Sequence, residues 1–285
     1  MNGKRSPMKK KSGRRGSLLS RFRKDPYFLL KYYGLTFTLS LVGVVALLAV
    51  RSSEFYSLDF RLWHILLIPA GLYLGVHSAV LLHNAAHYNI KPRWLNRFLG
   101  ELAGFHQLYG FAAWSVAHLV HHMYPDDLER DPHPPDGMEF GPYFLQMRTM
   151  LRNCLEKNYF AQWEDTPRSR FWWKVKNAFG FFGMWTRMAL WFLLLGPELF
   201  IAFYLPSYVA TIVFFAHFNY FTHRTTDDGS SVILNLDHNL YYKLANRLFF
   251  GIYYHGNHHH RPSYINPMDV PTDDSRRKRG GQVTV

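Results

Sequence analysis

Histidine dominates the chemistry open to this chain, with 16 imidazoles among 285 residues. Most of them fall into short boxes. His83-Asn-Ala-Ala-His87 puts two rings at i and i+4, on one face of a helix. In His118-Leu-Val-His121-His122, the first ring meets the other two across one turn. Asn219-Tyr-Phe-Thr-His223 repeats the i, i+4 spacing, and His255-Gly-Asn-His258-His259 repeats the HxxHH pattern. The candidate ligand set is therefore His83, His87, His118, His121, His122, Asn219, His223, His255, His258 and His259.

Nine packed neutral imidazoles would each have two ring nitrogens to satisfy. Metal coordination takes one nitrogen of each ring, and a nearby carboxylate or carbonyl takes the other. A single ion is too few, since even a structural zinc closes with four ligands. Two ions with four or five imidazoles each fit the count. Imidazole suits Zn, Cu, Fe and Ni alike, so ligand type leaves the metal open. The sequence has no HExxH, which argues against a zinc protease, and none of the Glu-x-x-His pairs of soluble di-iron bundles. One cysteine, Cys154, excludes a disulfide scaffold and any cysteine-based metal cluster.

Asp126, Asp127, Asp131, Asp237 and Asp269 lie near the boxes and are candidates to orient imidazoles, Asp131 and Asp237 foremost. His217 and His238 are further candidates for a direct role. His64, His77, His106 and His133 read as ordinary hydrogen-bonded histidines.

Four apolar stretches must hold these boxes: residues 32–50, 63–82, 173–195 and 197–218. Each has enough residues to cross a hydrocarbon core of about 30 Å at about 1.5 Å per residue. They predict an all-α membrane protein with four transmembrane helices in two hairpins, the second turning at Gly196-Pro197-Glu198. Arg187 lies deep in the third stretch and needs a partner or water. The moderately apolar stretch 98–116 reads as one interfacial or re-entrant amphipathic helix. Residues 1–31 hold eleven Lys/Arg and one acid, making a basic cytosolic N-terminal tail. Residues 32–270 form the membrane domain, and 271–285 a second basic tail with Arg276, Arg277, Lys278 and Arg279. By the positive-inside rule both termini and every histidine box lie in the cytoplasm. No recognised nucleic-acid motif accompanies the charge, so no nucleic-acid partner is expected.

The HxxxH, HxxHH and HxxHH boxes, in this order around two pairs of spans, resemble the integral-membrane fatty acid desaturase superfamily. The resemblance covers His83 to His259, 177 of 285 residues. It implies four membrane helices under a cytosolic helical cap that holds two iron ions, with O2 as co-substrate. It implies that His83, His87, His118, His121, His122, His255, His258 and His259 are iron ligands. It likewise implies that His223 is the additional histidine after the last span, and that Asn219 reaches a metal through water. The activity implied is oxidation of an acyl chain, with desaturation leading and hydroxylation, ketolation or decarboxylation to a terminal alkene as alternatives. The three-residue gap in the first box departs from acyl-CoA desaturases, which typically have four.

A membrane acyl substrate should run between the spans toward the cap. Tyr73, Val76, His77 and Val80 on the second stretch and Trp185, Met188 and Trp191 on the third are the candidate lining residues. The sequence contains no GxGxxG, flavin signature or cysteine cluster, so electrons are expected from a separate ferredoxin, rubredoxin or cytochrome b5. A non-enzymatic metal-binding protein or transporter is the competing class. A transporter would bury its ligands near the midplane, whereas these boxes begin where the apolar runs end.

Overall fold

The computed structural model describes residues 17–135, 137–225 and 231–271. Most of the basic N-terminal tail and the Arg276–Arg279 run lie outside the described residues. The chain is mostly helical. It begins with a short helix, α1 (Leu18–Phe22), and continues into α2 (Phe28–Val50). A 3-10 turn (Leu62–Leu66) leads into α3 (Leu67–Ala86). Then follow α4 (Arg93–His106), α5 (Phe111–Met123), α6 (Phe140–Trp163), α7 (Pro167–Leu199) and α8 (Leu205–Thr222). A two-stranded ribbon, β1 (His223–Thr225) with β2 (Ser231–Ile233), precedes α9 (Leu240–Leu248) and α10 (His255–His260).

Three helical stretches are long and apolar enough to cross a membrane: Phe28–Val50, Leu62–Ala86 and Pro167–Thr222. Their apolar side chains point outward as well as inward. Leu35, Leu39, Val42, Val45 and Leu48 of α2 are all exposed, a pattern suited to a lipid surround rather than water. The third stretch, 56 residues long, is not straight. Gly196 takes φ +76°, a left-handed conformation that glycine adopts without a Cβ clash, and Pro197 follows it. The rings of Trp191 and Tyr204 then lie 5.0 Å apart, where a straight helix would separate these residues by about 20 Å. The chain therefore folds back on itself at Gly196, and a π-helical turn, Phe200–Tyr204, leads into α8.

The tightest packing does not run within the sequence hairpins. The close neighbours are α2 with α7 and α3 with α8. Gly75 lets α3 approach so closely that a Cβ there would overlap the Ser207 carbonyl. Thr211 Oγ1 donates to the Gly75 carbonyl at 2.7 Å across the same contact. Leu82, Ala85, Ala86, Ala112, Ala113 and Val116, all essentially inaccessible, seat the end of α3 against α5.

Two expectations are corrected. The stretch 98–116 is two helices, not one, because the chain turns between His106 and Phe111 with Leu108 and Gly110 at positive φ. The chain is also not entirely α. The ribbon pairs His223 with Ile233, and the following strand-like segment runs beside α10, with Leu236 N–H donating to Tyr253 O. That extended connection brings a box from the end of α8 beside one about 30 residues later.

Candidate metal centre

The nine histidines gather into two groups. His83, His87, His118, His122 and His258 present ring nitrogens all within 4.8 Å of one another, and His121, His223, His255 and His259 do the same. The division follows from helical geometry. On α5, His118 and His122 are four residues apart and share a face, while His121 is rotated about 100° from His122. The first HxxHH box thus gives two rings to the five-histidine group and one to the other. On α10 the allotment reverses: His255 and His259 join the four-histidine group and His258 turns to the five. The last turn of α3 supplies His83, with His87 as its cap, and the first residue of β1 supplies His223.

The rings crowd closely. His87 Nε2 lies 2.7 Å from His118 Nε2, and His258 Nε2 lies 3.0 Å from His122 Nε2. In the other group, His259 Nε2 is 3.1 Å from His255 Nε2 and 3.2 Å from His121 Nε2. Among the described residues His83 Nε2 and His223 Nε2 are buried without a hydrogen-bond partner. Burial first, and then the neighbouring rings, hold His118, His122, His255, His258 and His259 well below the ordinary imidazole range. Neutral imidazoles can pair only one N–H with one lone pair. A cation at the centre of each group would satisfy converging lone pairs that the rings cannot satisfy among themselves. An all-nitrogen donor set of this kind suits first-row transition ions and not Mg or Ca.

Two of the five candidate carboxylates orient rings of the four-histidine group. Asp131 Oδ2 accepts from His121 Nδ1 at 2.8 Å, with both side chains fully buried. Asp126 Oδ2 accepts from His223 Nδ1 at 3.0 Å. In each case the Nδ1–H is committed outward and the Nε2 lone pair faces the group. Burial alone would raise both carboxyls. The paired imidazoles outweigh it, holding Asp131 well below the usual carboxylate range and lowering Asp126. Asp237 does not reach a ring; its carboxylate accepts from Tyr254 Oη at 2.7 Å. Asp127 accepts from the Glu129 and Arg130 backbone, and Asp269 from Asn266. His217 stands apart, with Nδ1 2.7 Å from Tyr253 Oη, and His238 contacts Asn239 and Tyr242 outside both groups. Asn219 also lies outside them, its amide donating to Tyr143 Oη at 2.7 Å and to the His133 carbonyl at 3.3 Å.

His133 is the residue that sequence reasoning set aside. It is buried, its ring centroid is 4.7 Å from that of His121, and its backbone N–H donates to Asp131 Oδ1 at 2.9 Å. Burial and the His121 ring hold it down to about 3. The one available signal was its position two residues after Asp131, just beyond the HxxHH box.

A cleft runs to His118 and His133 between α5, α6 and α8. Its walls are largely apolar, including Leu108, Trp114, Leu151, Ile212 and Phe215. None of the seven expected lining residues borders it. Val76 and Val80 are buried against Phe214 and Phe218 because α3 and α8 leave no gap between them. Tyr73 and His77 pack against Phe249 in tilted and edge-on contacts, Trp191 packs on Tyr204 and Phe105, and Trp185 and Met188 lie elsewhere on α7. Arg187 is buried, and its Nε donates to the Gly183 carbonyl at 2.8 Å.

A family model described as "Fatty acid desaturase" matches residues 60–271, a range that contains both histidine groups. An sn-1 oleoyl-lipid 12-desaturase from Picosynechococcus sp. is 27% identical over 115 residues. That match covers 38% of this chain and 30% of the relative, so it spans under a third of the relative's length.

Proposed function

The chain belongs to the fatty acid desaturase family, and on that premise we propose that it is an O2-dependent, di-iron membrane oxidoreductase that desaturates an acyl chain. The observation that carries the reading is the division of nine imidazoles into groups of five and four at the end of an apolar cleft. His83, His87, His118, His122 and His258 would hold one iron, and His121, His223, His255 and His259 the other. Asn219, one turn before His223, is a candidate for an outer, water-mediated contact.

Iron bound there supplies the O2-reducing, hydrogen-removing chemistry that no protein side chain offers. The overall reaction balances as –CH2–CH2– plus O2, two electrons and two protons giving –CH=CH– and two waters. The electrons come from a separate donor protein of ferredoxin, rubredoxin or cytochrome b5 type. The chain's own residues bind and orient. Asp131 and Asp126 fix the tautomers and ring planes of His121 and His223. Leu108, Leu151, Ile212 and Phe215 give the acyl chain a dry path that ends at His118. Trp114, stacked on the His118 ring at 4.6 Å, braces that end. The carrier proposed is a membrane lipid, in keeping with the oleoyl-lipid activity for which the Picosynechococcus relative is named.

We read the fold as four crossings in two hairpins, with Gly196 at the far-side turn of the second. Both termini and the histidine groups then lie in the cytoplasm. The test is metal and product analysis on detergent-purified protein. About two irons per chain and an acyl product two hydrogens lighter, formed with reductant and O2, are expected. A gain of one oxygen or loss of CO2 would replace desaturation by another reaction of the family. Failure to bind metal even after iron reconstitution would overturn the reading.

A further inference from the structure

Beside the cleft lies a second cavity, open on one side and walled by α2, α6 and α7. The two share Leu108, Tyr109 and Arg148, which therefore stand between them. Three cations line the second cavity, Arg148, Arg152 and Lys176, and no carboxylate does. Arg148 and Arg152 are one turn apart on the same face of α6. Lys176, 6% exposed, has its ammonium 3.6 Å from the Trp173 ring centroid and 5.8 Å from that of Tyr33. Among the described residues none of the three is in an ion pair. Arg148 Nη2 meets only the weak acceptor Met184 Sδ, at 2.8 Å. Glu156, a turn beyond Arg152, does not line the cavity. A buried ammonium without an ion-paired carboxylate is costly, and a cavity lined by three cations and no carboxylate is a poor home for an uncharged group.

We propose that this cavity binds the phosphate of a membrane phospholipid whose acyl chain passes by Leu108 and Tyr109 into the cleft toward His118. The inference rests on the proposed desaturase reading and adds to it the headgroup chemistry of the substrate. Location favours a lipid over a soluble thioester carrier. Lys176 of the cavity and the Trp173 ring beneath its ammonium stand at the start of the apolar stretch 173–195, which places this end of the cavity at the edge of the span. Cations and aromatic rings together at such a boundary are what a headgroup level requires. Tyr33 Oη donates to the Tyr109 carbonyl at 3.1 Å and fixes the loop over which the chain would pass.

The test is equilibrium binding to the full chain in neutral detergent, read by native mass spectrometry. The probes are dioleoyl phosphatidylglycerol, an uncharged dioleoyl galactolipid and oleoyl-CoA. Phosphatidylglycerol should bind at least about tenfold more tightly than the galactolipid, as charge-assisted contacts to phosphate predict. Arg148→Gln and Arg152→Gln, both at exposed positions, should each remove most of that preference and leave galactolipid binding unchanged. Lys176→Met should do the same and Lys176→Arg restore it, while Arg170→Gln, remote on α7, should have no effect. Equal affinity for the two lipids would overturn the proposal. So would oleoyl-CoA binding more tightly than phosphatidylglycerol and weakening in the same variants. Iron content and product are measured on the same preparations. Galactolipid desaturation without phosphatidylglycerol preference would sink this inference and leave the function standing. The expected binding pattern in a protein that yields no oxidised acyl product would do the reverse.

Discussion

Asp131→Asn isolates one hydrogen bond on which the four-histidine group depends. The wild-type carboxylate accepts three N–H groups: His121 Nδ1 at 2.8 Å, the His133 backbone at 2.9 Å and the Asp126 backbone at 2.6 Å. An amide offers one acceptor oxygen and one donor nitrogen. If its oxygen faces His121, its NH2 points at the His133 N–H; if it is flipped, His121 loses its acceptor. Either way a donor meets a donor in a site closed to solvent. Losing such a charge-assisted bond costs about 1.5–3 kcal/mol, and outer carboxylates typically contribute about 10–100-fold to metal affinity. His121 belongs to the four-histidine group, whereas the five-histidine group has no direct contact with Asp131. Chelator-competition titration of iron should therefore reveal one site weakened about 10–100-fold and the other near wild type. Asp127→Asn is the control, because the Asp127 contacts are with the backbone N–H groups of Glu129 and Arg130 and with the Arg130 guanidinium, away from both histidine groups. Two sites of unaltered affinity in Asp131→Asn, or equal weakening of both, would refute the assignment.

Three further outcomes follow from the same coordinates. The rings of His118, His122, His255, His258 and His259 sit below their unfolded pKa, so the unfolded chain binds more protons at mildly acid pH. Iron-free protein should thus be most stable above about pH 6.5 and lose up to about 1.4 kcal/mol per ring per pH unit below it; a melting temperature flat or rising between about pH 7 and 5.5 would contradict this. Ile212→Trp should fill the cleft and lower kcat/KM for an acyl lipid by at least about tenfold with iron content unchanged, and unaltered kinetics would remove the cleft as the substrate path. Burial pushes the Cys154 thiol up to about 12, so iodoacetamide should label folded protein roughly a hundredfold or more slower than unfolded protein, as followed by mass spectrometry.

The sequence by itself determined which side chains are candidates to hold metal and how they are spaced. Helical periodicity requires that His83 share a face with His87, and His118 with His122, whatever else the chain does. Apolar run length marked the stretches suited to a membrane, and Gly196-Pro197 marked where the last one turns, because only a residue without a Cβ takes that φ freely. The grouping of boxes was decided by tertiary packing alone. His258 joins His83 from 175 positions away because the ribbon and the segment after it carry α10 beneath α3 and α5. Periodicity acts within one element and says nothing about the angle at which separate elements meet.

The same limit explains why the expected lining residues do not border the cleft. Val76 and Val80 read as lining residues because they lie on a span below a box, yet Gly71 and Gly75 let α8 close that side completely. The space opens instead between α5, α6 and α8, where α6, a polar helix with no periodic signal of its own, stands off the bundle. Asp126 and His133 follow the same logic. Each lies in the irregular loop between α5 and α6, where no repeat constrains direction, and only the folded loop turns one toward His223 and the other beside His121.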